Sequence, residues 1–253
     1  MIEGDLVSLR VLLVSPSAAD RDLMRRGATA ASVPVEVAEA ESTALARKKI
    51  SAGAIDVIFL DAAIPAEERA ICVEQARSSE HKPFVILVAV AAEAAQGLAK
   101  EGSADSAVVK PADVGQAKVL VERCARLRLP NRVLVVDDSL TMRGIVRKIL
   151  QASRFRLETT EAQEGVDALR KIASGKFDLV FLDYNMPGLN GVETLAEIKR
   201  HSPELEVVIM TSNASLPVVE QARRAGAAAF LKKPFYPADI DAILQRIFGL
   251  RAQ

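Results

Sequence analysis

The stretch Phe177-Asp178-Leu179-Val180-Phe181-Leu182-Asp183-Tyr184-Asn185-Met186-Pro187 decides the fold. Its apolar run, Leu179 to Leu182, is short and ends on a carboxylate, and it reads as a strand buried on both faces of a parallel sheet. Three other runs in the same half have the same form. Val133-Leu134-Val135-Val136 precedes Asp137-Asp138, Val207-Val208-Ile209-Met210 precedes Thr211, and Ala229-Phe230-Leu231 precedes Lys232-Lys233-Pro234. In an open parallel α/β sheet, ligands bind outside the carboxyl ends of the strands. Three carboxylates, a hydroxyl and an ammonium therefore converge on one crevice, a set that suits a divalent cation and a phosphoryl group.

Helical patterns alternate with these strands. Ser139 to Ser153 places Leu140, Ile145, Val146, Ile149 and Leu150 on one face, and Phe155 to Thr159 alternates like a further strand. Helices follow at Gly165 to Ala173, Gly191 to His201, Pro217 to Ala225 and Ala238 to Phe248. Pro187-Gly188-Leu189-Asn190 supplies the turn before the second of these. Five strands alternating with five helices predict a doubly wound α/β domain, with a parallel sheet covered on both faces.

The first half repeats this framework. Arg10-Val11-Leu12-Leu13-Val14 aligns with Arg132-Val133-Leu134-Val135-Val136, and Ile55 to Asp61 with Phe177 to Asp183, both at an offset of 122. Val109-Lys110-Pro111 matches Lys232-Lys233-Pro234 at an offset of 123. A period this long is a duplicated domain rather than a solenoid unit. Two domains are expected, 1–128 and 129–253, joined by the short connector around Arg128-Leu129-Pro130-Asn131. Strands are expected in the first near 10–14, 33–38, 55–60, 84–89 and 107–109.

Composition narrows the function classes. Lys plus Arg and Asp plus Glu are both 33, so the chain is formally neutral. The first 128 residues carry 16 cationic and 18 acidic side chains, the remainder 17 and 15. Neither half has the basic excess of a nucleic-acid-binding domain. The start, Met1-Ile2-Glu3-Gly4-Asp5, lacks the apolar core of a signal peptide, and no apolar run reaches the ~20 residues that span a bilayer. A cytoplasmic protein with no nucleic-acid or membrane partner is expected. Cys72 and Cys124 fit neither a metal spacing nor a disulfide framework and read as buried packing. His81 and His201 read as exposed residues at helix ends.

The segments VLVVDDSLTMRGIV, DLVFLDYNMPGLNGVETL, VVIMTSNAS and AAAFLKKPF together resemble the CheY-like receiver domain of two-component response regulators, over residues 132–249. The resemblance implies a flavodoxin-like sheet in the order 2-1-3-4-5 in each domain. It implies that Asp183 accepts a phosphoryl group from a phosphohistidine. Mg²⁺ would be held by Asp138 and Asp183, by Asp137 largely through water, and by the main-chain carbonyl of Asn185. Lys233 would neutralise a phosphoryl oxygen and Thr211 would donate its hydroxyl to the same group. Phe230 would rotate as a switch, or else is ordinary sheet-core packing. The implied partners are a histidine kinase or histidine phosphotransfer protein and a downstream protein target, with a homodimer possible.

The first domain departs from that pattern. Ser15-Pro16 stands in place of Asp137-Asp138, Ala89 in place of Thr211, and Ala107 where the aromatic switch would be. Asp61 and Lys110 remain and are expected to form a residual structural ion pair. The first half thus reads as a pseudo-receiver, a dimerisation or docking module. The leading expectation is a phosphorylation-controlled interaction switch, with no enzymatic activity beyond handling its own phosphoryl group and no appended effector after Gly249 to Gln253. The alternatives are the regulatory front end of a longer effector, such as a tandem-receiver diguanylate cyclase, and a metal-dependent aspartyl phosphatase. The latter would place a second acid two residues after the nucleophile, where this chain has Asn185.

Overall fold

A computed structural model describes residues 8–101, 104–212 and 215–250. The chain divides into two compact units, 1–129 together with 248–253, and 130–247. The break lies between Leu129 and Pro130, and 248–253 group with the first unit, whereas 129–253 was expected as the second domain.

In the first unit the strands are β1 (Leu9–Val14), β2 (Val35–Ala40), β3 (Val57–Asp61), β4 (Phe84–Ala89) and β5 (Ser106–Val109). They alternate with α1 (Ala18–Thr29), α2 (Thr43–Ala52), α3 (Ala66–Ser78), α4 (Ala92–Glu101) and α5 (Val114–Cys124). The second unit repeats the order with β6 (Asn131–Val136), α6 (Leu140–Gln151), β7 (Leu157–Ala162), α7 (Gly165–Ser174), β8 (Leu179–Asp183), α8 (Gly191–His201), β9 (Glu206–Thr211), α9 (Leu216–Arg224), β10 (Ala229–Lys232) and α10 (Pro237–Ile247). The sheets run β2-β1-β3-β4-β5 and β7-β6-β8-β9-β10, all pairs parallel. Both are the expected 2-1-3-4-5 order. Each sheet is buried by its own helices. Leu12, Ile58, Leu60, Val85 and Leu87 lie in one core, and Leu134, Val180, Leu182, Val207 and Ile209 in the other.

Two local expectations shift. The second strand of each unit starts about two residues later than its apolar lead-in, because β7 pairs along the whole of β6, Asn131 with Leu157 through Val136 with Ala162. That pairing draws Thr160 and Glu161 into the strand and leaves buried Phe155 before it. On α6, only Val146 and Leu150 of the predicted stripe are buried, whereas Leu140 and Ile145 are 72% and 44% exposed. Successive residues lie about 100° apart on a helix, so Ile145 and Val146 cannot both face the sheet. Cys72 and Cys124 are buried, and His81 and His201 exposed, as expected.

Two contacts fix the strands that carry the site. In the first unit Asp56, just ahead of β3, accepts from the Arg10 backbone N–H at 2.9 Å and from its guanidinium at 3.1 and 2.9 Å. Burial pushes the Asp56 carboxyl up, but the Arg10 hydrogen bonds and the nearby Arg128 guanidinium outweigh it and hold the carboxyl below its usual range. In the second unit, α8 begins hard against the end of β8. A Cβ on Gly191 would lie 2.4 Å from the Asp183 carbonyl oxygen and 2.7 Å from Tyr184 Cα.

Asp56→Asn is expected to destabilise the first unit by about 1.5–3 kcal/mol, the usual worth of hydrogen bonds to a charged group. Because the folded-state pKa is depressed, the penalty is complete above about pH 4 and shrinks as pH falls through the lower folded value. Denaturant titrations of both proteins between pH 3 and 7 check it. Gly191→Ala is expected to cost about 1–3 kcal/mol as an overpacked substitution, read as an earlier denaturation midpoint of the second unit.

Candidate functional site

The parallel register makes the site. β6 lies between β7 and β8, with Val136 opposite Leu182, so Asp137 and Asp183 emerge side by side where the two strands end. Asp183 is opposite Met210, and Thr211 opposite Lys232, which brings the ends of β9 and β10 to the same rim. Ser139 caps α6 by accepting from the Met142 N–H at 3.3 Å, while its own N–H donates to Asp137 Oδ1 at 2.9 Å. Serine is a favoured residue at such an N-cap.

Lys233 closes the constellation. Its Nζ donates to Asp137 Oδ2 at 2.7 Å and to Asp183 Oδ1 at 2.8 Å, and its backbone N–H is held by the Thr211 carbonyl at 2.8 Å. Asp137 and Asp183 are buried and Asp138 is exposed beside them. Carboxylate oxygens of all three lie within 4.8 Å of one another. Burial pushes the Asp183 carboxyl above its usual range, and the charges of Asp137 and Asp138 push the same way, against the lowering by Lys233. Burial alone would lower the Lys233 ammonium, but its bonds to Asp137 and Asp183 outweigh that and raise it. Three acids face one ammonium, so the pocket carries an excess of negative charge.

Thr211 is fully buried at the end of β9, while Asn213 and Ala214 of the following loop lie outside the described residues. Asn185 is exposed in the loop after Asp183. Phe230 is half-buried against the second core, and Lys232 is exposed. Oxygen donors in this number suit a hard divalent cation such as Mg²⁺, which takes one or two carboxylates and keeps several waters.

The first unit holds a different arrangement at the same place. Ser15 Oγ donates to Asp61 Oδ2 at 2.6 Å, and the Ala63 N–H donates to Oδ1 at 2.9 Å. Lys110 does not pair with Asp61, contrary to expectation; it binds Asp20 of α1. Ser15-Pro16 in place of the acid pair leaves one carboxylate, Asp61, at the strand ends, and Asp20, in the first turn of the adjacent helix, offers the ammonium a competing partner. A small cavity of about 30 Å³ remains between Ser15, Asp20, Asp61 and Lys110. Among the described residues, the only cluster of three or more acids, cysteines or histidines with metal-ligand geometry is Asp137, Asp138 and Asp183. No helix among those residues is long and apolar enough to cross a membrane.

Residues 133–245 match the response regulator receiver domain. The chain is 36% identical over 119 residues to chemotaxis protein CheY-3 of Vibrio cholerae, a match covering 46% of this chain and 91% of that one. It is 33% identical over 119 residues to chemotaxis protein CheY of Pseudomonas aeruginosa, covering 46% and 95%. A solved structure described as a probable two-component system response regulator/GGDEF domain protein aligns over 97% of this chain and 100% of its own, with 19% identity and a TM-score of 0.51, and so shares the tandem fold. With its paired parallel sheets and a three-carboxylate, one-lysine site at the strand ends of the second, the chain belongs to the response regulator receiver family, as a tandem of CheY-like receivers whose first acidic site is degenerate.

Proposed function

We propose that the second unit is a phosphorylation switch that takes a phosphoryl group onto Asp183 from a phosphohistidine of a histidine kinase or phosphotransfer protein. The observation that carries this is the Lys233 ammonium bridging Asp137 and Asp183, with Asp138 exposed at the same rim. Asp138, Asp183 and the Asn185 carbonyl would hold Mg²⁺, with Asp137 contributing largely through water, and the cation would supply charge neutralisation to an otherwise repulsive pocket.

In the transfer, an Asp183 carboxylate oxygen forms the O–P bond as the P–N bond to the donor's imidazole breaks. The electron pair of that bond leaves with the imidazole nitrogen, which departs neutral when the ring's second nitrogen carries a proton. Lys233, released from two carboxylates, faces a phosphoryl oxygen. Thr211 donates its hydroxyl to another, drawing in the loop after β9, and Phe230 moves toward the space vacated. Hydrolysis reverses the state: water attacks phosphorus and the O–P bond to Asp183 breaks. The protein turns over only its own phosphoryl group and is not an enzyme toward an external substrate.

The surface beside the site favours a helical donor. An apolar groove lined by Met142, Ile145, Val146, Ile149 and Phe235 runs up to Lys233. In the first unit the position equivalent to Ile149 is Gly27, where a Cβ would lie 2.5 Å from Ala117 Cβ, so α1 and α5 close on each other. The first unit therefore acts as a docking or dimerisation module rather than as a phosphoacceptor, and output passes to a downstream protein target in the cytoplasm. The tandem fold shared with a protein described as carrying a GGDEF domain gives a second reading, the regulatory front end of a longer effector. The stop codon of the encoding gene decides between them.

Intact-protein mass after incubation with Mg²⁺ and acetyl phosphate is expected to show one phosphoryl increment, absent in Asp183→Asn and absent when Mg²⁺ is chelated. Two increments, or one that survives in Asp183→Asn, would assign phosphoacceptor chemistry to Asp61. No increment would overturn the switch. Lys233→Ala is expected to lower the yield of phosphorylated protein at least tenfold, in line with the loss of a preorganised electrostatic partner.

A further inference from the structure

The two adjacent acids, Asp137 and Asp138, sit on the turn between β6 and α6, where the Asp137 N–H donates to the Ala162 carbonyl at the end of β7 at 3.3 Å. A guanidinium holds their carbonyls. Arg143, one turn into α6, donates from Nη1 to the Asp137 carbonyl at 2.8 Å and to the Asp138 carbonyl at 3.4 Å. From Nε it donates to Glu161 Oε2 on β7 at 3.0 Å. The arginine side chain is 11% exposed and the glutamate's 27%. Glu161 is itself fixed from two sides. Arg147 lies 3.5 Å from its other carboxylate oxygen, and Lys171 Nζ donates to its backbone carbonyl at 2.6 Å.

The first unit carries the same brace 122 residues earlier. Arg21 Nη1 donates to the Ser15 carbonyl at 2.6 Å, its Nε to Glu39 Oε2 at 3.3 Å, and Arg25 lies 3.4 Å from the other Glu39 oxygen. The brace therefore belongs to the strand-to-helix turn of this fold, with or without acids on the turn. What differs is the load. In the first unit it steadies a serine, in the second a pair of like charges that repel each other and would splay an unsupported turn.

We infer that Arg143, anchored by Glu161, is a positioning residue for the acid pair: it sets the metal-binding geometry of Asp137 and Asp138 through their carbonyls without touching the metal or the phosphoryl group. This rests on the reading of Asp137, Asp138 and Asp183 as a Mg²⁺ site. A planar guanidinium can reach both carbonyls and the carboxylate at once, which the single-point ammonium of lysine cannot. Groups of this outer kind typically govern about 10–100-fold of metal affinity.

The test is a Mg²⁺ titration of the full chain followed by backbone amide shifts in ¹H–¹⁵N spectra, with wild type, Arg143→Gln, Glu161→Gln and Arg21→Gln. Arg143→Gln and Glu161→Gln are expected to raise the Mg²⁺ dissociation constant about tenfold. Both should retain native amide dispersion, and phosphorylation by acetyl phosphate at saturating Mg²⁺ should stay close to wild type. Arg21→Gln removes the same brace from the other unit and should leave the constant unchanged. Arg143→Lys should recover only part of the loss. If wild type shows no saturable shifts around Asp183, the metal site itself is wrong and the inference falls with it. If wild type binds but Arg143→Gln and Glu161→Gln bind equally well, the metal site stands and the positioning role is overturned. If Arg21→Gln weakens binding as much as Arg143→Gln, the effect is general loosening of the protein, and the role is likewise overturned.

Discussion

The second unit is organised around a repulsion. Parallel pairing of β6 with β8 places Asp137 and Asp183 at adjacent strand ends, and Asp138 follows in sequence, so three carboxylates meet within 4.8 Å. Bringing like charges together in a partly buried pocket is unfavourable, and a buried ionised group needs a partner. Lys233 is that partner for two of them, at 2.7 and 2.8 Å. One ammonium against three carboxylates leaves the pocket negative. The same shortfall suits the pocket to a divalent cation.

The two copies show how little must change to undo this. Ser15-Pro16 in place of the acid pair removes two charges from the crevice, and the Ser15 hydroxyl donates a direct hydrogen bond to the remaining Asp61. Lys110 then finds its counter-ion on α1, at Asp20, whose counterpart in the second unit is the apolar Met142. The polar groups of the crevice are partnered among themselves. Gly27 lets α1 and α5 approach along the flank where Ile149 holds a groove open in the second unit. Acid loss, lysine redirection and the close approach of α1 and α5 are all found in the first unit, within the same strand order.

Much of this was legible in the sequence, because the chemistry sits in contiguous strings at the ends of apolar runs. Asp137-Asp138, Asp183, Thr211 and Lys233 are each announced by the strand before them, and the 122-residue repeat defines both units. Other features were less visible. Which of the apolar residues on α6 face the sheet depends on helix placement, so the exposure of Leu140 and Ile145 was beyond a periodicity argument. The partner of Lys110 depended on Asp20, an unremarkable acid in a first helical turn. The Arg143 brace was hidden for a different reason: two of its three acceptors are backbone carbonyls, which leave no residue-type signature. Only the repeat could have exposed it, since Arg21, Arg25 and Glu39 recur as Arg143, Arg147 and Glu161 at the same offset as the strands.

That recurrence bears on how the site is built. A brace present in both units does not depend on the acids, since one unit lacks them. It is a property of the turn, and the acid pair sits on a turn whose carbonyls are already held by Arg143. Asp183 is treated the same way. Gly191 lets α8 start against the carbonyl of Asp183, and the Tyr184 N–H is held by the Met210 carbonyl at 2.9 Å, so the backbone on either side of its carboxylate is fixed by the fold. In both places contacts to the main chain itself, from Arg143 on one strand end and from α8 and β9 on the other, fix the backbone that carries the carboxylates.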